Sequence, residues 1–158
     1  MDTHMNTDNA LYHASDIAEY ILGQTGPITA MKLQKLVYYC QAWSLVWDER
    51  PLFSDDIEAW KNGPVVRTLF AQHRGQFLVH SGTFNQQPLV LDQEARETID
   101  SVIKYYGSRT AQWLSDLSHA EDPWIEARQN VNPNENSNTI ITLGSMHSYY
   151  SGLLSDES

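Results

Sequence analysis

Glu58 and His119 are a candidate pair for proton transfer in this 158-residue chain, because a carboxylate and an imidazole brought into one cleft can act as base and acid. Such a pair is more often a structural hydrogen bond holding distant segments together. Asp55, Asp56 and Glu58 form a compact acidic cluster able to hold a cation, yet no partner groups at metal-ligand spacing accompany it, so a solvated loop is expected. The histidines, His4, His13, His73, His80, His119 and His147, are scattered singly and read as surface or hydrogen-bonded core residues. Cys40 is the only cysteine, which excludes an intrachain disulfide and a cysteine-rich zinc site. It falls inside an apolar helical stripe, where a thiol packs as a small hydrophobe. The glycine-rich phosphate and dinucleotide loops, the nucleophile elbow and the H-E-x-x-H zinc signature are all absent from the sequence. No catalytic residue, metal or cofactor is therefore expected.

The elements that would position these side chains are mostly helical. A first helix is expected with Ser15 as N-cap and Ile17, Ala18, Ile21 and Leu22 on one face, ending near residues 23–27. Thr29 then caps the longest helix, running to about Trp47. Its stripe Leu33, Leu36, Val37 and Cys40 is flanked by Tyr39, Ala42, Trp43 and Val46, so it is apolar around much of its circumference and should be central and buried. Residues 52–60 alternate enough to read as extended. Gly63-Pro64 reads as the start of a third helix, because proline at the first helical position loses no needed N–H. Residues 75–91 form a long connection with room for a short hairpin. Asp92 caps a further helix, Ser108 opens another, Asp122-Pro123 opens a short one, and a last helix is expected over 140–154.

Length and composition agree with one domain. Hydrophobic residues make up 41% of the chain and aromatics 11%, enough for a single core without staples. The expected organisation is a flexible tail over residues 1–12, one domain over 13–154 and a loose end over 155–158. The fold class is mainly α, a compact single-domain helical fold with a long buried central helix and at most a short hairpin or extended segment. No apolar run is long enough to cross a bilayer and the first ten residues lack a leader pattern, so a cytoplasmic protein without membrane contact is expected. Twenty acidic against ten basic residues give a formal charge of -10. That excess repels phosphate, so autonomous nucleic-acid binding is not expected and a basic protein partner is favoured.

Two segments are harder to explain as generic core. One reads P-L-F-S-D-D-I-E-A-W-K-N-G-P-V-V from Pro51, and the other L-S-H-A-E-D-P-W-I-E-A-R from Leu117. Each places a tryptophan beside a turn proline. Trp60 and Trp124 read either as core anchors at two helix entries or as interface residues, since an indole offers large area and one N–H donor.

With the run I-T-A-M-K-L-Q-K-L-V-Y-Y-C-Q-A-W-S-L from Ile28, these segments give three motifs in order over most of the chain, and together they resemble the Panacea domain, also called the SocA-like or phage-associated GepA-like domain. The resemblance implies an antitoxin of a type II pair, a small helical domain that neutralises an adjacent-encoded toxin by direct protein contact. It also implies an alternative within the same class, an adaptor that delivers the toxin to a AAA+ protease. Self-association is a further partner class. The residues expected to meet the toxin are Trp43, Trp47, Glu58, Trp60, Lys61, Val65 and Arg67. Gly63, Pro64, His119, Pro123, Trp124 and Arg128 are expected to hold the motifs together. The competing reading is a small enzyme using Glu58 and His119.

Overall fold

The computed structural model of the chain describes residues 10–84 and 90–156. Among them lie seven helices, α1 (Ala14–Thr25), α2 (Ala30–Trp47), α3 (Arg67–His73), α4 (Gln93–Tyr106), α5 (Ala111–His119), α6 (Asp122–Ala127) and α7 (Leu143–Asp156). Four short strands accompany them: β1 (Ile28–Thr29), β2 (Ile57–Trp60), β3 (Gly63–Val66) and β4 (Leu78–Val79). The fold is mainly α, as the sequence predicts.

α2 is the axis against which most of the other helices pack. The Thr29 hydroxyl accepts from the Lys32 N–H at 3.1 Å and starts the helix as a capping residue should. From Leu33 to Leu45 every side chain is buried, and α1, α4, α5, α7 and β3 all pack against it. A helix enclosed on all sides must satisfy its own polar side chains, and α2 does so by docking loops and strands. Gln34 accepts from the Val66 N–H at 2.8 Å and donates to the Val66 carbonyl at 3.1 Å. Gln41, two turns on, accepts from Leu52 N–H at 2.7 Å and donates to the Phe53 carbonyl at 2.9 Å. Each amide thus stands in for a neighbouring strand.

Several sequence expectations are corrected. Gly63-Pro64 does not start a helix: it opens β3, which pairs antiparallel with β2 in the register Ile57↔Val66 to Trp60↔Gly63, and α3 begins only at Arg67. Pro64 is tolerated there because it stands opposite Ala59, whose N–H and carbonyl point away to Thr139 and Arg128, so no ladder bond is forfeited. The hairpin is therefore at 57–66 and not within 75–91; β4 pairs instead with β1, Ile28 opposite Val79. His13, not Ser15, precedes α1, with its N–H donating to Asp16 at 2.8 Å. Thr110 rather than Ser108 caps α5. Asp122 and Pro123 are already helical, with Glu121 as N-cap. The tail expected over 1–12 lies for residues 1–9 outside the described residues, but Tyr12 is fixed by its N–H to Leu52 at 3.1 Å and its hydroxyl to Asp92 at 2.6 Å. At the other end α7 continues to Asp156, past the expected boundary.

Candidate functional site

The β2–β3 hairpin turns through only Lys61 and Asn62, and its carbonyls are gripped one after another. Arg128 Nη1 donates to Ala59 O at 2.9 Å, and Trp124 Nε1 to Trp60 O at 2.8 Å. His119 Nε2 meets Lys61 O at 2.8 Å, Ser115 Oγ donates to Asn62 O at 2.7 Å, and Lys35 Nζ to Pro64 O at 3.1 Å. A carbonyl only accepts, so His119 carries its proton on Nε2. Five donors from α2, α5, α6 and the residue following it thus hold five carbonyls within a six-residue stretch. Arg128 also donates to the carbonyls of Asn132 and Glu135, tying the asparagine-rich loop to the same place.

Steric demand fixes the turn as well. Gly63 has φ +122°, and a Cβ there would lie 2.6 Å from Lys35 Cε. Only glycine lets the lysine stem pass beneath the turn. On the outer side, Trp60 Nε1 donates to Glu58 Oε1 at 2.8 Å, and Arg67 Nε pairs with Glu58 Oε2 at 3.1 Å. Trp60 is half-buried with its ring edge-on to Phe70 at 4.9 Å, while Lys61 and Arg67 are exposed. The tip is a rigid mount with its polar backbone turned inward and its side chains turned out.

Beside the hairpin lies a cavity of about 700 Å³, walled by the start of α2, the hairpin tip, α3 and residues 74–77. Its lining includes the apolar Met31, Trp60, Phe70 and Phe77 and the cations Lys35, Lys61 and Arg74, with no acidic residue among the described ones. Burial pulls the Lys35 ammonium down to about 8. His73, also in the wall, faces the Gln34 amide nitrogen at 3.0 Å, and burial lowers its pKa. With that amide donating, His73 Nε2 is the acceptor and the ring is neutral.

The structure brings Glu58, Trp60, Lys61, Gly63, Pro64, Val65, Arg67, His119, Trp124 and Arg128 into one neighbourhood. Pro123 is buried in the first turn of α6 beneath it. Glu58 and His119 do not bond to each other; the first is held by Arg67 and Trp60, the second by Lys61 O and the Trp124 ring at 4.3 Å. Trp43 and Trp47 stand apart. Trp43 is buried and donates to Tyr106 at 2.9 Å, and Trp47, 44% exposed, stacks on it at 4.9 Å. Both lie more than two turns along α2 from Lys35.

Sequence reasoning missed Lys35, Ser115 and Glu121. The signal for Lys35 was a charge inside a helix read as apolar around most of its circumference. Glu121, within the L-S-H-A-E-D-P-W motif, is buried and accepts from Tyr39 at 2.7 Å and Tyr150 at 2.8 Å. Burial pushes its carboxyl up, against the pull of those two hydroxyls. Among the described residues no three His, Cys, Asp or Glu side chains gather in a manner that could hold a metal ion, and no helix is long and apolar enough to cross a membrane.

Residues 33–125 match the family described as antitoxin SocA-like, Panacea domain. The chain is also 33% identical over 110 residues to Antitoxin SocA of Caulobacter vibrioides (strain NA1000 / CB15N), a match covering 62% of this chain and 58% of that protein. No solved structure gives a significant match. The family match begins at Leu33 in α2, takes in the whole hairpin, and runs through α5 and into α6, so it contains four of the five donors that grip the turn. With more than half of its length inside that match, the chain belongs to the SocA-like antitoxin family, the Panacea domain.

Proposed function

We propose that this chain is an antitoxin that works in the cytoplasm, neutralising a protein toxin encoded beside it by direct contact, and that the hairpin tip with its adjoining cavity is the contact surface. Family membership supports the role. The observation that carries the choice of surface is the carbonyl grip: side chains from three parts of the helical body immobilise a two-residue turn, which is far more restraint than a connecting loop needs. A loop fixed before binding loses little entropy when a partner docks. Trp60, of a residue type enriched in binding hot spots, stands next to the exposed Lys61 there, and Glu58 links its indole to the exposed Arg67 further along the hairpin. The activity is binding rather than catalysis, since Glu58 and His119 are each committed to structural partners. The net charge of -10 draws a basic partner toward the molecule before contact.

The test is co-expression with the adjacent toxin in hosts with and without their AAA+ proteases. Rescue of growth in both hosts is expected for occlusion by contact. Rescue only where the protease is present assigns delivery for degradation instead, and absence of rescue in both contradicts the antitoxin role.

A further inference from the structure

Lys35 is an anomaly within the core. It is 1% exposed, yet its ammonium, with three protons to place, has one hydrogen-bond partner among the described residues, the Pro64 carbonyl at 3.1 Å. Among the described residues no carboxylate lies within ion-pair distance of it. Buried charges in folded proteins are ordinarily paired, because desolvation of an isolated ammonium is expensive. The chain even keeps a glycine at φ +122° where the lysine stem passes. A methionine would fill the same space without the penalty, so packing alone does not explain the charge.

The surroundings of Lys35 point the same way. This chain has twice as many acidic as basic residues, yet among the described residues the cavity that Lys35 helps to line holds Lys35, Lys61 and Arg74 and no acid. A phosphate site surrounds its anion with charged and hydrogen-bonding groups, whereas the wall between these three cations is mostly apolar. Met31 and Phe77 in it are exposed at 42% and 79%, and it carries the side-chain amides of Asn62, Asn134 and Asn136. Primary amides both donate and accept, which suits the alternating N–H and C=O of a peptide.

We propose that this cavity binds an extended, largely apolar segment of a protein partner and that the segment delivers one carboxylate to the Lys35 ammonium. The protein nature of the occupant rests on the antitoxin reading; the carboxylate rests on Lys35 and the charge of the lining. Overall charge and cavity then play different parts. The acidic exterior steers a basic partner, and the basic cavity selects which of its segments enters.

The experiment uses the full chain and two sets of acetylated, amide-capped hexapeptides, one with a central Asp or Glu among varied apolar residues and one with Asn or Gln in its place. Binding is read by calorimetry and by fluorescence of the cavity-wall Trp60. Wild type is expected to prefer the acidic set at least tenfold. Lys35→Met should bring the two sets within twofold while the protein stays folded. Phe77→Asp, at a side chain already in solvent, takes an apolar contact from both sets but adds repulsion for the acidic one alone, so it should weaken the acidic set at least fivefold more than the amide set, and it keeps the test valid if the first variant misfolds. Wild type binding neither set, or equal binding of both, overturns the proposal, as does an acid preference that survives in both variants. Binding of 3-phenylpropionate with no binding of any peptide overturns the peptide assignment. A chain that rescues cells from toxin but ignores acidic peptides leaves the antitoxin reading standing without this site, and a chain that selects acidic peptides without neutralising toxin does the reverse.

Discussion

Gly63 and Lys35 are a matched pair, and each makes a distinct prediction. Gly63→Ala adds a Cβ both at φ +122° and 2.6 Å from Lys35 Cε, so the backbone and the lysine must both yield. Its expected loss of stability is about 2 kcal/mol or more, read from urea unfolding. An unchanged unfolding midpoint would remove the steric argument for the turn. For Lys35 the argument is electrostatic. Burial lowers its pKa to about 8 from 10.5, which corresponds to a penalty of about 3 kcal/mol on the charged form. The folded chain releases this proton more readily than the unfolded chain, so this group makes wild-type stability rise with pH between about 8 and 10.5. Lys35→Met removes the penalty and gives up one hydrogen bond worth about 1 kcal/mol, leaving it about 2 kcal/mol more stable than wild type at pH 7. That gap should close as pH approaches 10; a gap independent of pH contradicts the account of a desolvated ammonium.

The elements divide into those the sequence announces and those that only tertiary contact creates. α2 was legible from its stripes and Thr29, and α4 from Asp92, whose carboxylate accepts from Ala95 N–H at 2.8 Å, because periodicity and capping are local signals. β3 was not. Four residues beginning Gly-Pro fit a helix entry as well as a strand, and what decides between them is the grip of Lys35, Gln34 and β2, all distant in sequence. Strands of two residues such as β1 and β4 have no period to detect. The buried Gln34, Lys35 and Gln41 escaped for another reason: hydropathy counts them as solvent-facing, whereas here they bond the segments that pack on α2. In the candidate site, the two motifs were legible as unusual, but their meeting through His119 and the Lys61 carbonyl rather than through Glu58 was not. Since Pro64 lies in a strand, Pro64→Ala should cost only about 0.4–1 kcal/mol through a looser unfolded chain, with unchanged helical circular dichroism. A fall in helicity would return Pro64 to a helix start. Glu121 joins α2 and α7 at the entry to α6 through Tyr39 and Tyr150. Its raised pKa means that the folded chain holds this proton more tightly than the unfolded one, so this group costs stability as pH rises above 4.5, the ordinary glutamate value. Glu121→Gln keeps an oxygen for both hydroxyls and carries no charge. Its stability relative to wild type should therefore improve from pH 4.5 to 7, and a mutant that loses ground over that interval contradicts the assignment.

At the scale of the whole molecule, side chains from α2, α5, α6 and Arg128 fix a small hairpin against the helical body, leaving Lys61 exposed beside a basic cavity in an otherwise acidic protein. On the proposed reading, that arrangement lets a helical domain present one stiff surface to its partner. The measurement that tests this most directly is the affinity of the purified toxin encoded beside this chain for wild type and for Lys61→Glu. Lys61 suits the purpose because its structural bond uses only the backbone carbonyl, so the side-chain change leaves the fold intact. Wild type is expected to bind the toxin tightly and abolish its activity. Lys61→Glu, with an unchanged melting temperature, is expected to bind at least tenfold more weakly, on the order of 1.4 kcal/mol. No binding by wild type would contradict neutralisation by direct contact, and full affinity in a folded Lys61→Glu would contradict the hairpin as its surface.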